Sequence, residues 1–249
     1  MQADIPTTAL LASNITVEFA GLRALDGVTI VINPGEILGL IGPNGSGKTT
    51  LINAITGQVP LATGQVTVAR DVMPLSAPRT VALSGVGRTF QIVRLFDQLT
   101  VSENVETAAL AKGIKRKDAR KIATEILQEF GMLSRAETIA ANLNYGDKRR
   151  VEIARALAAT PKFLLLDEPA AGMNESESQM LCKQLLELPK QRNLGILIID
   201  HDMPLISRLC DRVHVIASGK TIAAGLIENV RKDPAVIDAY LGSSARQDA

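Results

Sequence analysis

Aromatic residues and cysteines are scarce in this chain of 249 residues, which contains no tryptophan, two tyrosines, five phenylalanines and two cysteines. The cysteines, Cys182 and Cys210, have no closely spaced partners. This spacing argues against a cysteine-based metal cluster or a disulfide framework, and it favours a reducing cytosol.

The chain also lacks an excess of charge of either sign, because 27 lysines and arginines face 26 aspartates and glutamates. A general polyanion binder usually carries a clear basic excess, so no nucleic-acid partner is expected. No apolar run approaches the roughly 20 residues of a membrane span. The first ten residues lack the basic start and apolar run of a signal peptide. If this protein serves a membrane, we expect it to do so through partners.

Short apolar runs that alternate with helical patterns predict an α/β fold. The strand-like runs are residues 14–19, 27–32, 36–41, 64–69, 162–167, 196–200 and 213–218. Helical stretches between the later runs predict parallel βαβ units. Between about residues 95 and 158 the pattern is helical throughout, with Thr100 or Ser102 as the first capping residue. The sequence therefore predicts an α/β lobe with a helical insert.

The segment GPNGSGKTT, residues 42–50, fits the phosphate-binding pattern G-x-x-x-x-G-K-[ST]. It follows a buried strand and opens a helix, which is the context that the motif requires. Its glycines let backbone N–H groups point at phosphate oxygens, and the helix N-terminus adds positive potential. We expect Lys48 to reach the β- and γ-phosphates and Thr49 to hold Mg²⁺ through its hydroxyl.

A second element of the phosphate site is FLLLDEP, residues 163–169, where a buried strand ends in two carboxylates. Asp167 is predicted to orient Mg²⁺ through its water shell. Glu168 is predicted to act as general base on the water that attacks the γ-phosphate. Alone, this strand end would also suit a solvated acidic turn, but beside a phosphate loop the catalytic interpretation is favoured.

Three further candidates each have an ordinary structural interpretation. His201 could sense the γ-phosphate, although a lone histidine at a strand end is usually structural. Gln91 could equally be a surface glutamine. Phe19 shares a strand face with Ile15 and Val17, which favours core packing. It also ends the run, where a side chain can leave the core edge and stack on adenine, so both interpretations stay open.

These elements, in this order, resemble the ATP-binding subunit of ABC transporters. Five stretches narrow the resemblance to the branched-chain amino-acid importer family, whose relatives also carry urea and other amide or acid solutes. They are RALDGV (23–28), GVGRTFQIVRLFDQLTVSEN (85–104), DEPAAGMN (167–174), IIDHDM (198–203) and DPAVIDAYLG (233–242).

The resemblance covers nearly the whole chain and implies a P-loop NTPase fold of the ABC ATPase type. This fold has a RecA-like core, an antiparallel β subdomain and a helical subdomain insert. Residues 1–249 would form a single ABC ATPase domain, with the nucleotide-binding core in 7–94 and 159–249. The helical subdomain with the signature motif would be 95–158.

The family also implies an assembly. A second ATP-binding subunit, identical or related, would complete a dimer. The dimer would dock under two transmembrane permease subunits at the cytoplasmic face of the membrane, with an extracytoplasmic solute-binding protein on the other side. The transported solute would be selected by those membrane and binding subunits.

Roles carry over by position from the family to this sequence. The catalytic set is Lys48, Gln91, Glu168 and His201, with His201 as the switch histidine. The implied cofactors are ATP and Mg²⁺, and Mg²⁺ would be held by Thr49, Gln91 and Asp167. The implied nucleotide-binding residues are Phe19, Asn44, Gly45, Ser46, Gly47, Lys48, Thr49, Thr50, Leu143, Asn144, Tyr145 and Gly146.

The family's signature, Leu-Ser-Gly-Gly-Gln, falls at LNYGD, where Leu143 and Gly146 match. The tyrosine variant is associated with this importer branch. The side-chain amide of Asn144 can still donate to a phosphate. Asp147 would repel a triphosphate unless it points away, as it would in a helix-capping position.

The signature leads into a predicted helix, residues 148–159, whose N-terminus would face a γ-phosphate. In the family this phosphate is bound by the opposite subunit, so LNYGDKRR (143–150) is predicted to be half of a shared site. The cations of this octet and of residues 112–121 are expected to be solvated.

Two other functions fit part of the pattern. A soluble ABC-type ATPase that acts on nucleic acid or ribosomes usually has two cassettes or a long coiled-coil insert, and neither is seen in this sequence. A small-molecule phosphotransferase would share the phosphate loop but would leave the octet and Glu168 without their joint role. The sequence therefore favours the importer ATPase.

Overall fold

The computed structural model describes residues 6–75 and 77–244, with side chains described up to residue 240. Residues 1–5, which begin the stretch assessed for a signal peptide, lie outside the described residues. The strands are β1 (Leu10–Phe19), β2 (Leu22–Ile32), β3 (Ile37–Ile41), β4 (Thr63–Val68), β5 (Asp71–Val72), β6 (Val86–Arg88), β7 (Phe163–Asp167), β8 (Gly195–Ile199), β9 (Arg212–Ala217) and β10 (Lys220–Gly225). The helices are α1 (Lys48–Ile55), α2 (Pro78–Leu83), α3 (Val101–Ala111), α4 (Arg116–Glu129), α5 (Tyr145–Ala158), α6 (Glu175–Arg192), α7 (Met203–Leu209), α8 (Ile227–Val230) and α9 (Pro234–Ser244).

The smaller sheet is antiparallel and has the strand order β2-β1-β4-β5. β1 and β2 are joined by a tight turn at Ala20 and Gly21, which have φ angles of 46° and 85°. Positive φ at both central residues suits the right-handed twist of a hairpin. The turn places Phe19 directly opposite Leu22 in the register of the two strands.

The larger sheet has the strand order β10-β9-β3-β8-β7-β6, and all of its pairs are parallel except β10 with β9. β3, β7 and β8 are buried along their whole length, as expected for central strands that are covered on both faces. Their carboxyl ends lie at one edge, where Asp167 pairs with Ile199. This edge brings the loops after residues 41, 167 and 199 together.

The helical segment α3–α5 packs on the larger sheet. Val105 of α3, Ile126 of α4 and Ile153 of α5 belong to the same hydrophobic cluster as Ile37 and Ile41 of β3. A second cluster joins the antiparallel sheet, α1 and the other face of the larger sheet. The predicted fold class, with its antiparallel sheet and helical insert, is therefore confirmed.

Two helix starts show why local sequence positions these elements. The Thr100 hydroxyl accepts a hydrogen bond from the Glu103 N–H at 3.1 Å, and the Glu103 carboxylate accepts one from the Thr100 N–H at 2.8 Å. This reciprocal capping box begins α3 and selects Thr100 over Ser102 as the cap. α5 begins at Tyr145 rather than at residue 148, because Asn144 caps it.

Replacement of Thr100 by alanine removes the side-chain acceptor of this capping box. We expect the free energy of unfolding to fall by about 1 kcal/mol, as measured by urea denaturation. The matched control is Thr124→Ala, since the exposed Thr124 hydroxyl only donates to the Arg120 carbonyl within α4. Equal losses in the two variants would contradict a stabilising role for the cap.

Candidate nucleotide site

A cleft of about 630 Å³ opens at the carboxyl edge of the larger sheet. The loops after β3, β7 and β8 supply most of its wall, and the loops after β6 and β9 and the start of β2 supply the rest. The lining residues are Leu22, Arg23, Ala24, Asn44, Gly45, Ser46, Gly47, Lys48, Thr49, Thr50, Gln91, Asp167, Glu168, Ile199, His201, Ser218 and Gly219.

Two glycines of the phosphate loop, Gly42 and Gly47, lie too close to neighbouring strands to carry a side chain. Gly42 has a φ of 150°, and a Cβ there would lie 2.0 Å from the carbonyl oxygen of Ile216. Gly47 has a φ of 109°, and a Cβ there would lie 2.7 Å from the Cδ2 atom of Leu25. Side chains at these positions would push the loop off the neighbouring strands, so both glycines fix the course of the backbone.

Lys48 lies across this loop, where its Nζ donates to the carbonyl oxygens of Gly42 at 2.8 Å and Pro43 at 2.9 Å. Burial lowers the pKa of Lys48, and the nearby carboxylates of Glu168 and Asp167 oppose this shift. The lysine is thus a partly desolvated cation beside two acids, which suits a group that meets phosphate oxygens.

The residues predicted to hold Mg²⁺, Thr49, Gln91 and Asp167, all line the cleft. Burial raises the pKa of Asp167, and the cation of Arg88, whose Nη2 lies 3.8 Å from Asp167 Oδ2, opposes it. The same Oδ2 is buried without a hydrogen-bond partner. A carboxylate oxygen without a hydrogen-bond partner, in a cleft that a hydroxyl and a side-chain amide also line, fits Mg²⁺, which prefers oxygen ligands and completes its shell with phosphates and water.

Glu168 follows this strand with a left-handed backbone, with φ of 48°. Its N–H donates to the Ile199 carbonyl at 2.8 Å. Its Oε2 accepts from Gln91 Nε2 at 3.5 Å, and its Oε1 lies 3.5 Å from His201 Nδ1. The structure therefore brings three of the four predicted catalytic side chains, Gln91, Glu168 and His201, into contact.

Phe19 is 47% exposed, whereas Ile15 and Val17 are fully buried, so of the two interpretations left open for Phe19 the one of core packing is wrong. Strand register shifts occur between Ile15, Val17 and Glu18 where β1 meets β2, and they carry the strand end away from the core. Phe19 is not among the described cleft residues, but its partner Leu22 is.

None of the described residues at positions 143–146 lines this cleft. Leu143 and Gly146 are buried, while Tyr145 is 41% exposed. Asn144 Oδ1 accepts a hydrogen bond from the Asp147 N–H at 2.7 Å and so caps α5. The signature thus presents the start of a helix at a surface other than the wall of the cleft.

Asp147 does point away from the signature surface, but the expected cause was wrong. It is not the helix cap, because Asn144 has that role. The Asp147 carboxylate is buried and forms ion pairs with Arg135 at 2.7 Å and with Arg150. Two cations thus neutralise the charge that would otherwise oppose a phosphate.

The sequence-based interpretation missed Arg149, which was expected to be solvated and is instead fully buried. Its guanidinium donates to Glu152 Oε2 at 2.8 Å and to the backbone carbonyls of Phe90 at 2.6 Å, Gln91 at 2.9 Å and Glu168 at 3.3 Å. The i, i+3 spacing of Arg149 and Glu152 on one helix was the sequence signal that could have indicated a paired arginine.

The phosphate loop also meets the end of the described chain. Tyr240 of α9 packs against the larger hydrophobic cluster. Burial raises the pKa of Tyr240, and a hydrogen bond with the backbone of Gly42 opposes this shift. The helix near the end of the described chain is therefore linked to the first glycine of the phosphate loop.

No helix in residues 6–75 or 77–244 has the length and apolar character needed to cross a membrane.

The sequence is 40% identical to LivG of Salmonella typhimurium, a high-affinity branched-chain amino acid transport ATP-binding protein, over 94% of this chain and 98% of LivG. It is 36% identical to BraF of Pseudomonas aeruginosa, which carries the same description, over 94% of this chain and 98% of BraF. It is also 34% identical to LptB of Escherichia coli, a lipopolysaccharide export system ATP-binding protein, over 95% and 98% of the two chains.

The fold is also similar to that of solved ATP-binding cassettes. The ADP conformation of MJ1267, an ATP-binding cassette of an ABC transporter, superposes with a TM-score of 0.83 and is 32% identical, over 94% of this chain and 98% of MJ1267. Residues 25–171 match the ABC transporter family. The chain therefore belongs to the ABC transporter family as an ATP-binding subunit and is an ATPase.

Proposed function

We propose that this ATPase binds ATP with Mg²⁺ in the cleft and uses Glu168 as its general base. The observation that carries the proposal is the convergence of Lys48, Asp167 and Glu168, from two separate strand ends, on one cleft. Lys48 and the phosphate loop would bind the β- and γ-phosphates. When bound, Mg²⁺ would neutralise phosphate charge and would be held by Thr49, Gln91 and Asp167.

The surroundings of Glu168 support its role as a base. Each carboxylate oxygen has a neighbour at 3.5 Å, Gln91 on one side and His201 on the other. These long contacts orient the group while leaving lone pairs available for a water proton. Gln91 would help to position the water, and the exposed His201 would contact the γ-phosphate.

Glu168→Gln keeps the shape of the side chain and removes its basicity. We expect ATP to bind with unchanged affinity and kcat to fall roughly 100-fold or more, the usual scale of a lost general base. Phosphate release and nucleotide binding would be measured on the same preparation. The matched control, Glu125→Gln, changes an exposed glutamate of α4 and should leave kcat unchanged. Wild-type turnover by Glu168→Gln would remove Glu168 as the base.

We further propose that the signature, residues 143–146, serves the nucleotide of a second ATP-binding subunit. Its residues lie outside the wall of this chain's own cleft, and Tyr145 is exposed beside the capped N-terminus of α5. The N-terminus of α5 can bind a phosphate from another chain, because the nearby Asp147 carboxylate is neutralised by Arg135 and Arg150. Phe19 would meet the adenine from the hairpin side.

A mixing experiment tests the shared site. Gly146 is a poor position for the lesion, because a Cβ there would lie 2.7 Å from the Glu177 carboxyl carbon of the same chain. Tyr145→Asp instead adds a negative charge at an exposed position in the first turn of α5, where it suits the helix dipole. We expect Tyr145→Asp to bind ATP but to hydrolyse it at least about tenfold more slowly, because its charge opposes the partner's γ-phosphate.

Lys48→Ala alone should also be nearly inactive, since it lacks the cation of the phosphate loop. A mixture of Lys48→Ala and Tyr145→Asp contains dimers with one intact composite site, so some ATPase activity should return and should depend on protein concentration. Tyr145→Asn controls for loss of the ring without added charge. Full activity of Tyr145→Asp at dilutions where the protein is monomeric would contradict the shared site.

We also propose that the subunit docks under two permease subunits at the cytoplasmic face of a membrane and energises import of branched-chain amino acids, in concert with an extracytoplasmic binding protein. The names of the relatives LivG and BraF support the solute class.

A groove of about 470 Å³ between residues 94–96, α3 and α5 supports a position at which the permease subunits dock. The apolar side chains of Ile92 and Phe96 are 77% and 54% exposed beside it. We propose residues 95–158 as the helical subdomain that carries this contact.

Ala111→Arg would fill the groove from the exposed end of α3. We expect uptake of labelled leucine by cells that carry the complete transporter to fall at least about fivefold, because a loss of about 1 kcal/mol in docking already costs that much. ATPase activity of the isolated subunit should not change. Ala235→Arg, the same substitution at an exposed position of α9, is the control. Parallel loss of uptake and isolated ATPase activity would point to misfolding instead.

A further inference from the structure

We propose that Arg149 is a positioning residue for ATP hydrolysis, because it holds the backbone of Glu168 and of Gln91 in their working places. The inference rests on the proposed role of Glu168 as general base. Arg149 lies on α5 and is distant in sequence from both Gln91 and Glu168. Its guanidinium nevertheless reaches the carbonyl oxygens of Gln91 at 2.9 Å and Glu168 at 3.3 Å.

Glu168 needs such support because its backbone conformation is unfavourable for a residue with a side chain. A φ of 48° in a residue other than glycine persists only where the surroundings hold it. The N–H of Glu168 donates to Ile199, and its carbonyl accepts from Ala171 at 3.2 Å and from Arg149. Of these contacts, only the one with Arg149 is made by a charged side chain, and such hydrogen bonds are the stronger kind.

The second half of the arrangement fixes the loop that carries Gln91. Arg149 Nη1 donates to the Phe90 carbonyl at 2.6 Å, while Glu152 Oε1 accepts from the Arg94 N–H at 3.1 Å. Arg155, which lies three residues after Glu152 on the same face of α5, donates to the Arg94 carbonyl. One face of α5 therefore binds the backbone of this loop on both sides of Gln91.

Burial explains why Arg149 cannot easily take another position. The side chains of Arg149 and Glu152 are 0% and 1% exposed, so the guanidinium must satisfy its donors inside the protein. A planar fork carries its donors on separate nitrogens and can therefore reach carbonyl oxygens of two loops at once, whereas a lysine ammonium has all its donors on one nitrogen. Loss of the fork should release both Gln91 and Glu168, and displacement of a catalytic group by about 1 Å can cost roughly 100-fold in rate.

The first experiment uses Arg149→Lys, which keeps the charge and removes the fork. We expect kcat to fall between roughly 10-fold and 100-fold, while the KM for ATP and the affinity for a non-hydrolysable ATP analogue stay within about threefold. The matched control is Arg192→Lys, which makes the same change in an arginine that pairs with Glu129 away from the cleft. Wild-type kcat in Arg149→Lys would overturn the inference.

A second variant separates positioning from folding. Arg149→Met combined with Glu152→Gln removes both buried charges, and the glutamine oxygen can still accept from the Arg94 N–H. Replacement of a buried ion pair by a neutral pair is often tolerated, so the melting temperature should lie near that of the wild type. We expect kcat to remain low despite this stability. Recovery of kcat together with stability would show that Arg149 only holds the fold.

A double-mutant cycle tests whether Arg149 acts through Glu168. If it does, adding Arg149→Lys to Glu168→Gln should lower kcat by much less than it does in the wild-type background, because the base is already lost. Independent, multiplying losses would contradict the proposed route. Full activity of Glu168→Gln alone would instead remove the proposed base, so the two failures are distinguishable.

Discussion

The arrangement of the catalytic loops depends on the burial of one guanidinium. Removing Arg149 from water is costly unless its donors find acceptors, and the acceptors within reach are three backbone carbonyls and the Glu152 carboxylate. These carbonyls belong to the loop after β6 and to the loop after β7. Through these contacts α5 is held against both loops, and this is the basis on which we propose that Arg149 positions Gln91 and Glu168.

The same helix begins at the signature, one turn before Arg149. Its first turn is capped by Asn144, and the acid at its third position is neutralised by two arginines, so the exposed start keeps its positive potential. Under the proposed shared site, a single helix would offer an anion-binding end to a partner, and one turn later it gives a buried cation to its own chain. In the proposed dimer, this helix would join the partner's phosphate to this chain's base, which is a simple physical route for two sites to act in concert.

The sequence predicted those parts of the site that are made by contiguous residues. The phosphate loop, the pair Asp167 and Glu168 and the strand before His201 are local patterns whose geometry follows from the chain on either side. The Mg²⁺ site, the nucleotide roles and the domain limits at 95 and 158 remain predictions.

Errors arose where distant residues decide the outcome. Phe19 leaves the core because strand register shifts, which alternation cannot show. Asp147 is neutralised by Arg135, twelve positions earlier and in a separate turn. Arg149 is buried because a loop nearly sixty residues earlier brings its carbonyls to α5. In each case tertiary packing determines the contacts of the side chain. For Arg149, the run of cations at 148–150 does not indicate which of the three side chains is fully buried.

The scarcity of aromatic residues has a consequence for observation of this protein in solution. With no tryptophan and two tyrosines in 249 residues, its near-ultraviolet fluorescence comes from phenol rings. One ring, Tyr145, is exposed at the signature, and the other, Tyr240, is hydrogen-bonded to the backbone of the phosphate loop. Both native fluorophores thus stand beside surfaces that nucleotide and a partner subunit would touch. The unmodified chain carries its own optical probes of these surfaces, and a single Tyr→Phe change would assign each signal to its ring.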